Sequence, residues 1–145
     1  MLIRNILEES ARKFDEVKAV KWLNKKEIME RSYGELMENV VSTRKGLLAE
    51  GFEGKHIALI GTSSVEWMES YLGIITGCTT AVPLDAALPC EDLIDLLNRS
   101  DSAALFLSPK LKPYLDAFLE NCPKLQKVWM LQEEVEDAPA KVYGI

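Results

Sequence analysis

From residue 56 onward, short apolar runs alternate with amphipathic stretches, and this alternation limits the fold more than any other feature. His56 to Ile60, Thr79 to Leu84, Ala103 to Leu107 and Lys127 to Leu131 are brief and mostly apolar. Such runs suit strands buried on both faces. Between them, apolar residues recur at helical spacing: Val65, Met68, Tyr71, Leu72 and Ile75, then Leu93, Ile94, Leu96 and Leu97, then Leu111, Tyr114, Leu115, Phe118 and Leu119. Strands joined by helices of this length require crossovers, which places them side by side in a parallel sheet with helices packed on it. The predicted fold class is therefore α/β: a three-layer parallel sheet flanked by helices.

The segment before residue 56 differs. Leu2, Ile3, Ile6, Leu7, Ala11 and Phe14 predict an opening amphipathic helix. Val17 to Leu23 and Ile28 to Arg31, around the polar Asn24-Lys25-Lys26-Glu27, predict a small β-hairpin. Ser32-Tyr33-Gly34-Glu35 has capping-box spacing and opens a helix through Leu36, Val40 and Leu47, which Gly51 is placed to end. Ser63 with Glu66 predicts a second capping box. Pro89 suits a first helical position, and Ser108-Pro109 opens the next helix. Residues 1–131 read as one α/β unit. Residues 132–145, with Glu133, Glu134, Glu136 and Asp137, read as an acidic loop or linker tail.

The chain of 145 residues is long enough to build a core of its own. Its net charge is −6 and its pI about 4.9, which argues against nucleic acid and anionic membranes as partners. No apolar run approaches the roughly 20 residues of a membrane span, and Met1 to Arg4 does not open a signal peptide. Cys78, Cys90 and Cys122 are odd in number and lack a CxxC pair. They predict inert thiols, no zinc site and a reducing, cytoplasmic setting.

No residue stands out as catalytic. Gly61-Thr62-Ser63-Ser64 follows a strand and opens a helix, but it matches no phosphate-binding glycine pattern, and Glu66 would repel an anion. His56 has no partner set for metal or nucleophile chemistry and reads as structural. Asp85, Glu91, Asp92 and Asp95 suit a solvated helix start. Trp22, Trp67 and Trp129 read as packing groups. Lys25-Lys26 is too short for a binding patch.

The segment Leu72-Gly73-Ile74-Ile75-Thr76-Gly77-Cys78-Thr79-Thr80-Ala81-Val82-Pro83-Leu84-Asp85 resembles the L-x-x-x-x-A-G-x-x-x-V-P-L-D motif of the adenylate-forming superfamily, the acyl-CoA synthetases and their relatives. Ser32 to Leu36, Gly51 to Ile60, Ser63 to Trp67, and Leu88 to Leu93 with Leu97 to Ser100 resemble its neighbouring motifs in the same order. Cys78 departs from the usual glycine, and His56 and Leu88 from usual neighbours.

The resemblance implies an N-terminal fragment of an AMP-forming, long-chain fatty acid–CoA ligase-like enzyme. In that family a carboxylate and ATP give an acyl-adenylate with Mg²⁺, and CoA then takes the acyl group. The phosphate loop, adenine and magnesium motif, ribose aspartate and C-terminal lysine of the family are not among these residues. The fragment is therefore expected to be inactive, with no catalytic, cofactor or metal residue of its own. Its partners would be the parent's remaining subdomains, with room for a homodimer. Two other readings are a stand-alone interaction module on the same scaffold and a small nucleotide-binding protein using Gly61 to Ser64.

Overall fold

The computed structural model describes residues 2–132 and, as backbone, residues 142–144. Helix α1 (Ile3–Lys13) leads into strands β1 (Lys18–Asn24) and β2 (Glu27–Ser32), which pair antiparallel as the expected hairpin. Helix α2 (Tyr33–Ala49) starts at the capping box. The Ser32 hydroxyl accepts from the Glu35 amide at 3.1 Å, and the Glu35 carboxylate accepts from the Ser32 amide at 2.7 Å. That amide holds the Glu35 carboxyl below its ordinary value. Gly51 ends the helix at φ +81°, a conformation that costs glycine nothing.

Strands β3 (His56–Ile60), β4 (Thr80–Leu84), β5 (Ser102–Leu107) and β6 (Lys127–Met130) alternate with α3 (Val65–Thr76), α4 (Cys90–Arg99) and α5 (Leu115–Asn121). All pair in parallel. The sheet order is β4-β3-β5-β6-β7, where β7 is Val142–Gly144. The chain thus steps from β3 to β4 on one side and then returns past β3 to β5. Right-handed crossovers then put α3 and α4 on opposite faces. The cores agree. Ile57, Leu59 and Phe106 pack with Leu47 of α2 and Ile74 of α3. Ala58, Ile60, Leu105, Leu107 and Val128 pack with Leu93 and Leu97 of α4 and Phe118 of α5.

Helices α2 and α3 meet at Gly73, where an added Cβ would lie 2.6 Å from Thr43 Cβ. At Gly46, on an open part of α2, an added Cβ would meet nothing within 4 Å. Gly46→Ala is expected to stabilise the chain by about 0.5–1 kcal/mol, since glycine costs that much in an exposed helix. A urea-unfolding midpoint that moves down would contradict this.

Several expectations are corrected. The cap of α3 is Ser64, not Ser63: its hydroxyl accepts from the Trp67 amide at 3.1 Å. Glu66 therefore falls one position short of a capping box. Its carboxylate instead accepts from Gln132 Nε2 at 2.8 Å. Pro89 precedes α4 as its N-cap, because its ψ of 152° is extended. The helix expected from Ser108 opens as a 3₁₀ segment, Pro109–Tyr114. Pro113 lacks the amide an α-helical bond would need there, so α5 starts only at Leu115. Part of the expected loop tail is strand. Val142–Gly144 pairs in parallel with β6 along its open edge, and three residues are too few to show a period in sequence. The other tail residues, including Glu133, Glu134, Glu136 and Asp137, lie outside the described residues. Helix α1 forms as expected but buries no residue fully.

Candidate functional site

In open α/β sheets, ligands sit outside the carboxyl ends of the strands, where the order reverses. Here that point lies between β3 and β5. The two strands end in Gly61-Thr62-Ser63-Ser64 and Ser108-Pro109 respectively.

The two ends are joined. The Ser108 amide donates to the Ile60 carbonyl at 3.0 Å, which carries the β3–β5 ladder one step past the strand. The Ser108 hydroxyl, almost fully buried, accepts from the Thr62 amide at 3.2 Å. This contact needs glycine at position 61, because a Cβ there would lie 2.1 Å from Ser108 Oγ. Beyond it, the Leu131 amide donates to Leu107 at 2.9 Å, and Gln132 reaches back to Glu66. Trp67 stacks on Tyr71 with centroids 5.3 Å apart. The hydroxyls of Ser64 and Ser108 are therefore already accepting from backbone amides, and Glu66 places a carboxylate in the first turn of α3. This edge is cross-linked internally. Its fixed groups position the loops at the strand ends.

A second polar cluster lies where the hairpin meets α2 and α3. Arg31 Nε is 2.7 Å from Glu69 Oε1, poorly aimed, so the contact is an ion pair more than a hydrogen bond. Asn39 Nδ2 donates to the same carboxylate oxygen at 3.0 Å. Arg31 also lies over Trp22, 5.5 Å from the ring centroid. Burial pushes the Glu69 carboxyl above its ordinary value, although Asn39 and Arg31 pull it down. The folded chain therefore holds this proton more tightly than the unfolded chain. The stability it contributes is full below the unfolded value and declines as pH rises through the folded one. Glu69→Gln cannot titrate and is expected to lose less stability than the parent chain over that rise. Parallel urea-midpoint curves against pH would contradict it.

The remaining candidates separate across the fold. His56 Nδ1 lies 2.7 Å from the Ser100 carbonyl, at the opposite end of β3 from Gly61, and is structural. Asp85 accepts from the Ala87 amide at 2.9 Å. Glu91 and Asp92 occupy the first turn of α4, and Asp95 pairs with Arg99 at 3.0 Å. Trp129 stacks on Phe106 at 4.9 Å. Burial pushes the Cys90 and Cys122 thiols up. Cys78 is exposed, because the turn between α3 and β4 lies at the rim of the sheet. Among the described residues no three His, Cys, Asp or Glu side chains gather as a metal site.

Sequence reading did not find the Ser108 contact or the Glu69 cluster. Both join positions 30 or more residues apart. Glu69 does leave a trace, as a carboxylate inside the apolar run of α3.

A model of the AMP-binding enzyme family matches residues 7–143. No curated protein matches the chain by sequence. Among solved structures, the coronafacic acid ligase of Pectobacterium brasiliense shares 21% identity at a TM-score of 0.86, over 99% of this chain and 28% of that one. A protein of Rhodopseudomonas palustris named as a long-chain-fatty-acid CoA ligase shares 12% identity at 0.80, over 99% and 35%. The anthranilate CoA ligase AuaEII, in complex with anthranoyl-AMP, shares 19% at 0.77, over 88% and 24%. The chain thus spans about a quarter to a third of the length of these structures.

Proposed function

The chain belongs to the AMP-binding enzyme family, and from that membership we propose that it is the N-terminal scaffold of an AMP-forming carboxylate–CoA ligase acting in the cytoplasm. In this reading the parent enzyme joins a carboxylic acid to AMP from ATP and passes the acyl group to CoA. The present residues hold the first sheet and its helices rigid behind that chemistry, while the phosphate-binding and proton-handling groups belong to the rest of the parent. The chain alone neither adenylates nor forms a thioester.

One observation carries the reading. At the β3–β5 edge, where a ligand would sit, the Ser108 hydroxyl accepts from the Thr62 amide and the Ser64 hydroxyl from the Trp67 amide, and both tie the loops down. The site is built for stiffness. Fatty acid is the proposed substrate class, supported by the Ser63-Ser64-Val65-Glu66-Trp67 resemblance and by the name of the Rhodopseudomonas palustris neighbour.

Sequencing the gene beyond Ile145 tests this. The expected result is an open frame that reaches a T-S-G-T-T-G-x-P-K-type phosphate loop. A stop codon directly after Ile145 would instead favour a free-standing interaction module.

A further inference from the structure

The net charge of −6 hides an uneven distribution. Lys18, Lys21, Lys25, Lys26 and Arg31 against Glu27 and Glu30 leave the hairpin at +3, so the rest of the chain carries −9. Three of the five cations are engaged: Lys18 and Lys21 with Glu30, and Arg31 with Glu69. Lys25 and Lys26, which form the turn, have no ion-pair partner among the described residues. Directly behind them, Leu23 and Ile28 face each other across the two strands. They are among the most exposed large apolar side chains of the chain, at 68% and 72%. Trp22 and Met29, one step further in, point to the other face, where Arg31 covers Trp22.

We propose that this hairpin tip docks the chain on an anionic lipid surface. The tip presents two exposed aliphatic side chains, Leu23 and Ile28. That is far short of the roughly 800 Å² per partner of a stable protein interface, so a second copy or a folded partner would gain little from it. The lysine pair alone is too short for a binding patch, but with Leu23 and Ile28 beside it a headgroup layer can take up the aliphatic side chains and offer phosphates to Lys25 and Lys26. The acidic body is repelled by the same surface, which fixes a tip-first orientation. Net charge argues against the whole molecule lying flat on such a membrane, and a single tip contact, with its field confined to about a Debye length, avoids that penalty.

The test is co-sedimentation of the full chain with vesicles of phosphatidylcholine, with or without phosphatidylglycerol. Binding is expected only with phosphatidylglycerol and is expected to fall as salt is added. Lys25→Glu/Lys26→Glu is expected to weaken it by at least about tenfold, since each lysine near an anionic surface contributes roughly fivefold and the two act together. Leu23→Ser/Ile28→Ser, at unchanged charge and circular dichroism, is expected to weaken it severalfold. Absence of binding, or binding that both variants retain, would overturn the proposal. So would a concentration-dependent dimer that Leu23→Ser/Ile28→Ser dissolves, because the tip would then be a protein interface.

Discussion

Phe118→Ala is expected to cost about 3–5 kcal/mol, the range for deleting a buried aromatic ring. Phe118 is fully buried on α5, beneath the β3–β5–β6 face, with Leu93 and Leu97 of α4 and Val128 of β6 around it. Tyr114 meets its ring edge-on at 6.2 Å. Strand residues wall one side of the site and helices the other, so it can collapse only partly. Domains of this size have about 5–15 kcal/mol in total, and the variant is expected to unfold at much lower urea with an unchanged slope. Phe118→Leu keeps most of the volume and is expected to cost less than about 1.5 kcal/mol. A loss below about 1 kcal/mol for Phe118→Ala would mean that α5 does not cover this face.

Gly73→Val tests the other layer. Even a single added Cβ at Gly73 would come within 2.6 Å of Thr43 Cβ and Cγ2 and 3.2 Å of the Val40 carbonyl oxygen. Backbone oxygen and a β-branched side chain yield little, so valine must push α2 off α3. The expected loss is about 1–3 kcal/mol. Because α2 also carries Asn39, which holds Glu69, the shift is expected to loosen the Arg31 contact and raise proteolysis within the hairpin. Unchanged stability would contradict the tight α2–α3 crossing. Gly73 stands inside the Leu72 to Asp85 motif, and its role there is to let two helices touch.

The residues that sequence reading placed well are those whose signal is local. The four apolar runs, the Ser32–Glu35 box and the left-handed Gly51 each depend on neighbours a few positions away, and each forms where expected. Ser63 and Ser64 are adjacent hydroxyls with equal local claims on the cap of α3, and only the extended φ and ψ of Ser64 decide between them. Strand order was not legible, since periodicity says nothing about which side of β3 the chain returns to. For the same reason the junction of Gly61 with Ser108 was hidden: it exists only because β5 lies beside β3. Val142–Gly144 escaped because its pairing comes from the open edge of β6, not from a pattern of its own.

We propose that these residues provide scaffold and leave the chemistry to the rest of the parent enzyme. Carboxylate-dependent exchange between ATP and pyrophosphate, measured on the purified 145-residue chain with Mg²⁺ and a panel of fatty and aromatic acids, tests it most directly. The predicted result is no exchange above the blank with any acid. Exchange that rises with added carboxylate would contradict the claim, and would place a working adenylation site within these residues.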